Sequence, residues 1–271
     1  MRVLIVGLQV LLLSLFISGC GGNALEWMAD ENSTDAKKDK IDFAFVEGNC
    51  SYVIMMLEPH VGFLSETELY QYNNAVLACS GFSIVDSINV ILDKDAVTAN
   101  DPFVTIQEFM GTDTLTDEKI AELKGSYDKV LQSCTGTLSE DMQTVCGMTA
   151  AAHSVLAVSE VALNLSGADS ITASKDGITS AIGGKGLSEI SSAVDSSVNS
   201  GAISMDGLNN DLALITSASV AISNMAEGNI EFSSDLEKFS NDLKDSSTGT
   251  ITSSSFSNYI FSQFRDNGGA Q

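Results

Sequence analysis

The two histidines are the residues on which acid–base or nucleophilic catalysis would most readily depend. His60 follows Pro59 in a predicted turn between helices, and His153 lies within a long apolar segment. A serine activated by histidine needs a demanding local geometry, of which the pattern G-x-S-x-G is a common sign. That pattern does not occur in the sequence. We therefore interpret both histidines as structural and predict that the protein is not an enzyme.

A glycine-rich run, Gly183-Gly184-Lys185-Gly186, superficially resembles a phosphate-binding loop. Such a loop requires serine or threonine directly after the lysine, where this chain has Gly186. It also requires a leading glycine, where this chain has Thr179. The run therefore predicts a break between helices rather than a nucleotide site, and we expect no cofactor.

Acidic side chains form two clusters that contain the oxygen ligands calcium prefers. In the first, Asp93, Asp95 and Asp101, a calcium-binding loop would need an oxygen ligand at Val97 and a glycine at Thr98. The second, at residues 206–211, lacks a glutamate at the required distance. We expect both clusters to be loop and helix-cap carboxylates, and we predict no metal site.

The charge and composition of the whole chain exclude two classes of protein. The formal net charge of −23 opposes binding to the phosphates of nucleic acids. The 44% hydrophobic content and the presence of only two prolines are not those of a disordered acidic tail. The sequence therefore predicts a folded, acidic protein that does not bind nucleic acid.

The first 20 residues have the features of an export signal. A positive charge at Arg2 precedes an apolar run from Val3 to Ile17, which is too short for a comfortable membrane span. The following Ile17-Ser18-Gly19-Cys20 resembles the lipobox of bacterial lipoproteins. The resemblance implies that residues 1–19 are removed as a signal peptide and that Cys20 carries the lipid. An ordinary cleaved signal followed by a chance cysteine is the alternative.

Residues 20–41 are mostly small, polar or charged, and we predict that they form a flexible tether between the lipid and the folded part. The residue after the cysteine is Gly21 rather than aspartate, which in such lipoproteins implies the outer membrane. We therefore expect an outer-membrane lipoprotein that faces the periplasm and binds the membrane through its acyl chains. The inner membrane and the cell surface remain open alternatives.

Four cysteines remain besides Cys20, an even number in a compartment that favours disulfides. No CxxC pattern supports zinc binding or redox chemistry. Of the three possible pairings, we favour Cys50–Cys79 and Cys134–Cys146, because helices that are neighbours in sequence usually pack together.

Helix signals recur along the chain and indicate an all-α protein. Start signals, with a capping residue before an apolar stripe, lie at Ser65-x-x-Glu68, Asp101-Pro102, Thr116 and Ser234-x-x-Glu237. Residues 140–165 are apolar on every side, which predicts a central buried helix. A second membrane span is the competing interpretation, but His153 and Glu160 would be costly at mid-bilayer.

The C-terminal part, residues 166–271, is rich in serine and contains aromatic residues only from Phe232 onward. Phe256, Ile260 and Phe264 recur every four residues, so we expect the last helix to close the core. We predict a helical core at 42–165 on which 166–271 packs. The fold class is a helical bundle or an irregular α-solenoid with two disulfides.

Two functional hypotheses follow from these features. The first is a noncatalytic lipoprotein that contacts another envelope protein, as an accessory of a transport or assembly complex. The second is a small-molecule-binding lipoprotein with an apolar pocket between helices. The scarcity of arginine argues against ligands that are bound through a carboxylate or phosphate.

Overall fold

The computed structural model describes residues 33–93, 101–225 and 229–265. Their α-helices are α1 (Thr34–Val46), α2 (Cys50–Leu57), α3 (Glu66–Ser80), α4 (Ile84–Leu92), α5 (Pro102–Phe109), α6 (Asp117–Ser133), α7 (Glu140–Ser166), α8 (Lys175–Ile182), α9 (Leu187–Asn199), α10 (Met205–Asn224), α11 (Ile230–Leu243) and α12 (Ser253–Phe264). A 3-10 helix spans Glu58–Phe63, and two short antiparallel strands are β1 (Thr114–Leu115) and β2 (Ile171–Thr172). The all-α prediction is confirmed. The predicted signal peptide, 1–19, and Cys20 lie outside the described residues.

The chain divides into two compact units, residues 1–47 and 48–271. The described part of the first unit contains α1. The flexible tether predicted for residues 20–41 is therefore wrong for residues 34–41, which are helical. The helix begins where the Ser33 hydroxyl accepts a hydrogen bond from the Ala36 amide, so a capping residue starts a helix in this polar segment. Residues 20–32 lie outside the described part.

Helix α7 is the centre of the second unit. It contacts α3, α5, α6, α8, α9 and α10, and its most extensive contact is with α10. Among the described residues it is the helix long and apolar enough to cross a membrane, but 83% of its apolar window is buried inside the fold. The prediction of a central buried helix is confirmed. One helix surrounded by six others is typical of a bundle rather than of a row of stacked pairs.

The contact between α7 and α10 depends on a glycine. A Cβ atom added at Gly147 would lie 2.1 Å from the Cβ of Ala218 and 2.7 Å from the main-chain oxygen of Leu214. Gly147 therefore allows the two backbones to approach more closely than any larger residue would.

Both favoured disulfides are confirmed. Cys50–Cys79 joins α2 to α3 with a Cα–Cα distance of 5.7 Å. Cys134–Cys146 joins the end of α6 to α7 with a Cα–Cα distance of 5.9 Å. Both distances lie in the usual range for disulfides. The bridges thus connect helices that follow each other along the chain.

Most predicted helix starts are confirmed, and one is wrong. Ser65 and Glu68 form a reciprocal capping box at the start of α3. Asp101 and Thr116 cap α5 and α6. The capping box predicted at Ser234 and Glu237 does not exist, because these residues lie inside α11. Asn229 caps that helix instead, and its side chain accepts from the Phe232 amide at 3.0 Å.

The last helix closes the core as predicted. Phe256, Ile260 and Phe264 are all fully buried. The ring of Phe264 meets that of Phe103 from α5 edge-on, with the ring centroids 4.8 Å apart. The C-terminal helices therefore complete the same core as α5 and α7.

Candidate functional site

An apolar groove lies between α3, α4 and α7. Its volume is about 160 Å³. Its apolar wall includes Leu77, Phe82, Ile88, Ile91, Val145 and Met148. Met225, just after α10, adds a further side chain. These residues define what we call the groove.

Each of the three helices presents one face to the groove. The lining positions are 70, 74 and 77 on α3, then 84, 87, 88, 91 and 92 on α4, and 141, 144, 145 and 148 on α7. Spacings of three and four place side chains on the same face of a helix. The groove is therefore formed by ordinary helical faces that leave a space between them.

The groove opens to solvent on its α4 side. The side chains of Ile88 and Leu92 are 39% and 49% exposed. Burying exposed apolar surface is favourable, by about 25 cal/mol for each Å². These side chains therefore offer binding energy to an apolar ligand.

The polar end of the groove contains Tyr70, Asn74 and Asp141. Asp141 is exposed in the first turn of α7, and no described basic side chain forms an ion pair with it. Burial raises the pKa of the Tyr70 hydroxyl, and the charge of Asp141 raises it further, whereas a hydrogen bond from Asn74 lowers it. Tyr70 therefore stays a neutral hydroxyl beside an unpaired carboxylate.

The walls of the groove are held by long-range hydrogen bonds. The fully buried Asn229 donates from its side-chain amide to the main-chain oxygens of Val90 at 3.0 Å and Asp93 at 3.2 Å. The main-chain amide of Asn229 donates to the main-chain oxygen of Ile91 at 2.8 Å. These carbonyls belong to the end of α4, where no partner is available within the helix. Asn229 therefore fixes the α4 wall.

A second candidate site surrounds His153, farther along α7. Its Nδ1 lies 2.6 Å from Oδ2 of the buried Asp211 on α10, and its Nε2 lies 3.8 Å from Oδ1 of Asp128 on α6. In the same region, Nζ of Lys124 lies 3.8 Å from Oε2 of Glu160. We call these five residues the ionic cluster. Clefts of about 320 and 530 Å³ lie beside it.

The electrostatics of the ionic cluster favour a charged imidazole. Burial alone lowers the pKa of His153, but the hydrogen bond and charge of Asp211, with the charge of Asp128, outweigh it and raise that pKa overall. Burial also raises the pKa of Glu160, against the effect of Lys124. The positive and negative side chains of the ionic cluster are therefore paired with one another inside the protein.

The ionic cluster resembles part of a catalytic triad but lacks the part that reacts. A catalytic histidine held by an aspartate through Nδ1 presents its Nε2 to a nucleophile. Here Nε2 faces the carboxylate of Asp128, and no described hydroxyl or thiol forms a hydrogen bond with it. This geometry supports an electrostatic and structural role for His153.

The other residues considered in the sequence are dispersed. His60 is exposed in the 3-10 helix. Asp101 caps α5 and pairs with Lys175. The main-chain oxygen of Asp93 accepts from the Asn229 side chain, and Asp95 lies outside the described residues. Among the described residues, no group of three or more His, Cys, Asp or Glu side chains is placed to hold a metal ion.

Sequence reasoning missed Asp141, Asn229 and the pairing of His153 with Asp211. Asp141 looks like an ordinary acidic residue in a first helical turn. Only the spacing of the apolar residues on α3 and α7 carries a signal of the groove, and the same spacing occurs in a filled core.

No protein family, curated protein or solved structure matches the chain. Functional inference therefore depends on the groove and on the ionic cluster themselves.

Proposed function

We propose that the protein is an exported, lipid-anchored helical lipoprotein that binds a small, largely apolar molecule in the groove without catalysing a reaction. The observation that carries the proposal is the groove of about 160 Å³, with an apolar wall and one polar end. Binding sites for small molecules are typically apolar hollows with a few convergent polar groups.

The size of the groove sets the size of the ligand. An engineered apolar cavity of about 150 Å³ in another protein binds benzene. A space of about 160 Å³ thus suits one six-membered ring or a chain of about six carbons. A larger ligand would extend past the exposed Ile88 and Leu92 into solvent.

Anchoring at an outer membrane, facing the periplasm, is the second part of the proposal. It is supported by the lipobox resemblance at residues 17–20 and by the two disulfides, which suit an oxidising compartment. Acyl mass on Cys20, with release of Cys20→Ser from the membrane fraction, is the expected result. Unchanged membrane attachment of Cys20→Ser, with no acyl mass on the wild type, would contradict it.

Binding in the groove is tested with fluorobenzene, a small neutral probe, and the full-length protein in lipid nanodiscs. We expect the ¹⁹F signal of the probe to broaden with the wild type beyond its broadening with empty nanodiscs. Val145→Trp, which fills the groove, is expected to abolish this effect. Val220→Trp, at an exposed position outside the groove, is the matched control and is expected to leave it intact. Equal broadening with both variants would sink the proposal.

A contact with an envelope protein is a second candidate function, favoured by a separate observation. Phe63 at the end of the 3-10 helix is 95% exposed, and Met55 on α2 is 60% exposed. Exposed apolar side chains indicate an interaction surface where they form a contiguous patch. A photo-crosslinker at position 63 in intact cells is expected to give one adduct of defined mass. The same crosslinker at position 220 on α10, where Val220 is 54% exposed, is the control and is expected to give no such adduct.

A further inference from the structure

Several hydrogen-bond donors of the groove are already engaged within the protein. The hydroxyl of Thr144 donates to the main-chain oxygen of Glu140 at 2.9 Å. The hydroxyl of Ser87 donates to the main-chain oxygen of Ser83 at 2.8 Å. The amide nitrogen of Asn74 donates to the main-chain oxygen of Tyr70 at 2.7 Å. The hydroxyl hydrogens of Thr144 and Ser87 and one amide hydrogen of Asn74 are therefore already used within their own helices.

The charge of the groove is negative. Among the described residues that line it, Asp141 is the charged one, and no lysine, arginine or histidine is among them. The net charge of the whole chain, −23, adds to the negative potential. A carboxylate or phosphate ligand would be repelled, whereas a cation would be attracted.

The N-terminus of α7 does not reverse this preference. Helix N-termini attract anions through their free amides and the helix dipole. Here the hydroxyl of Ser139 accepts from the Met142 amide, and the first turn already contains the carboxylates of Glu140 and Asp141. The positive end of the helix is thus occupied by the protein's own negative groups.

The apolar wall adjoins this carboxylate. Asp141, Val145 and Met148 follow one another along the same face of α7, at steps of four and three residues. A ligand with a cationic head and a short apolar body matches that order of surfaces. The body lies against Val145 and Met148 while the head reaches Asp141.

We infer that the groove selects small organic cations, namely amines with an apolar body of one ring or about six carbons, whose ammonium group pairs with Asp141. This inference rests on the proposed function, because it assigns a ligand class to the same groove. The ammonium group donates hydrogen bonds to the Asp141 carboxylate, which has no ion-pair partner among the described basic side chains. The Tyr70 hydroxyl offers a second acceptor beside the carboxylate.

The test compares three probes of nearly one shape, benzylamine, benzyl alcohol and benzoate, as competitors of fluorobenzene. The full-length protein is used in nanodiscs of zwitterionic lipid, so that the lipid does not sort the probes by net charge. We expect benzylamine to displace fluorobenzene at a concentration about 3- to 5-fold lower than benzyl alcohol does, as for an exposed ion pair. Benzoate is expected to be the weakest competitor.

Variants of two neighbouring residues test whether the preference for the amine depends on Asp141. Asp141→Asn is expected to bring benzylamine within about twofold of benzyl alcohol, since it removes the ion pair and leaves the apolar wall. Glu140→Gln removes an exposed charge from the same helical turn but outside the groove. It is expected to keep the wild-type ratio between the displacing concentrations of benzyl alcohol and benzylamine. In the wild type, raising sodium chloride to about 0.5 M is expected to bring the ratio of these two concentrations closer to one, because salt screens the ion pair.

The outcomes separate this inference from the proposed function. If fluorobenzene binds and Val145→Trp blocks it, but benzylamine competes no better than benzyl alcohol, the groove binds ligands and the cation preference is wrong. An amine preference that survives Asp141→Asn and high salt would also overturn the inference. If fluorobenzene does not bind the wild type, both proposals fail.

Discussion

The groove and the ionic cluster both involve α7, and they treat charge in opposite ways. In the ionic cluster, the buried Asp211 meets His153 at 2.6 Å, so the charges are satisfied inside the fold. In the groove, Asp141 stands exposed beside apolar surface without a described ion-pair partner. In this protein a buried, paired charge therefore belongs to the structural core, whereas an exposed, unpaired carboxylate beside an open apolar wall marks the candidate binding site.

The energetics agree with this contrast. Burying an ion is costly, and the cost is recovered only when a partner with good geometry lies beside it. A buried pair therefore strongly penalises loss of one member, although forming it adds little net stability. An exposed carboxylate costs the fold little and is free to meet a ligand.

The largest effect is expected from Asp211→Asn. It removes the negative charge that balances the buried His153, and we expect the free energy of unfolding to fall by about 4 kcal/mol. Urea denaturation followed by circular dichroism measures this. Asp128→Asn is the matched control, because Asp128 is partly exposed and lies farther from the ring, at 3.8 Å. We expect the control to cost less than about 1 kcal/mol, and equal losses in the two variants would contradict the distinction.

Gly147→Ala is expected to destabilise the protein by about 3 kcal/mol, because the new methyl group collides with Ala218 and the backbone of α10. The contact between α7 and α10 should loosen, which would affect both regions. Gly125→Ala is the control, since nothing lies within 4 Å of the added Cβ on α6. It is expected to raise stability by up to about 1 kcal/mol. Thermal unfolding of both variants provides the comparison, and a stable Gly147→Ala would show that the helices can separate at no cost.

Asn229→Asp is expected to cost about 2 kcal/mol, because a carboxylate cannot donate to the carbonyls of Val90 and Asp93 and is repelled by them. Since these bonds hold α4, the variant should also weaken fluorobenzene binding in the groove. Asn89→Asp, at an exposed position on α4, is the control for the added charge. Loss of stability with unchanged probe binding would show that α4 does not depend on Asn229 for its position in the groove.

The smallest expected effect is a pH dependence centred on His153. Its pKa in the folded protein is raised above the ordinary value of 6.5. Its contribution to stability is therefore complete below about pH 6.5 and is lost as the pH rises through the folded-state pKa. Asp211→Asn should lower the pKa of His153, because the hydrogen bond and the charge of Asp211 both raise it.

Proton NMR of the imidazole rings measures this pKa directly. The sequence contains two histidines, so the ring signals of His153 can be assigned by comparison with a His60→Gln variant. A pKa for His153 that is the same in the wild type and in Asp211→Asn would contradict the ionic cluster as described.

Local features of the fold were predictable because their causes are local. Ser65, Asp101 and Thr116 cap helices through bonds to amides two or three residues away. The disulfides join consecutive helices, so the neighbour rule was sufficient. The same local logic failed at Ser234, since a capping pattern inside a helix is not used when Asn229 starts that helix earlier.

The candidate site was not predictable because it depends on distant contacts. His153 and Asp211 are 58 residues apart, and Asn229 and Val90 are 139 apart. Nothing in the sequence around Asp141 distinguishes it from Glu140. The difference between them arises only when α3 and α4 pack beside one face of α7.

The central claim is that ligands bind in the groove, and methyl NMR of the methionines tests it most directly. Met148 and Met225 line the groove, whereas Met110 and Met142 are buried elsewhere in the fold. With the full-length protein in nanodiscs, saturating benzylamine is expected to shift the methyl signals of Met148 and Met225 and leave those of Met110 and Met142 in place. Shifts confined to Met110 and Met142, or no methyl shifts under conditions where benzylamine displaces fluorobenzene, would contradict the assignment of the groove as the binding site.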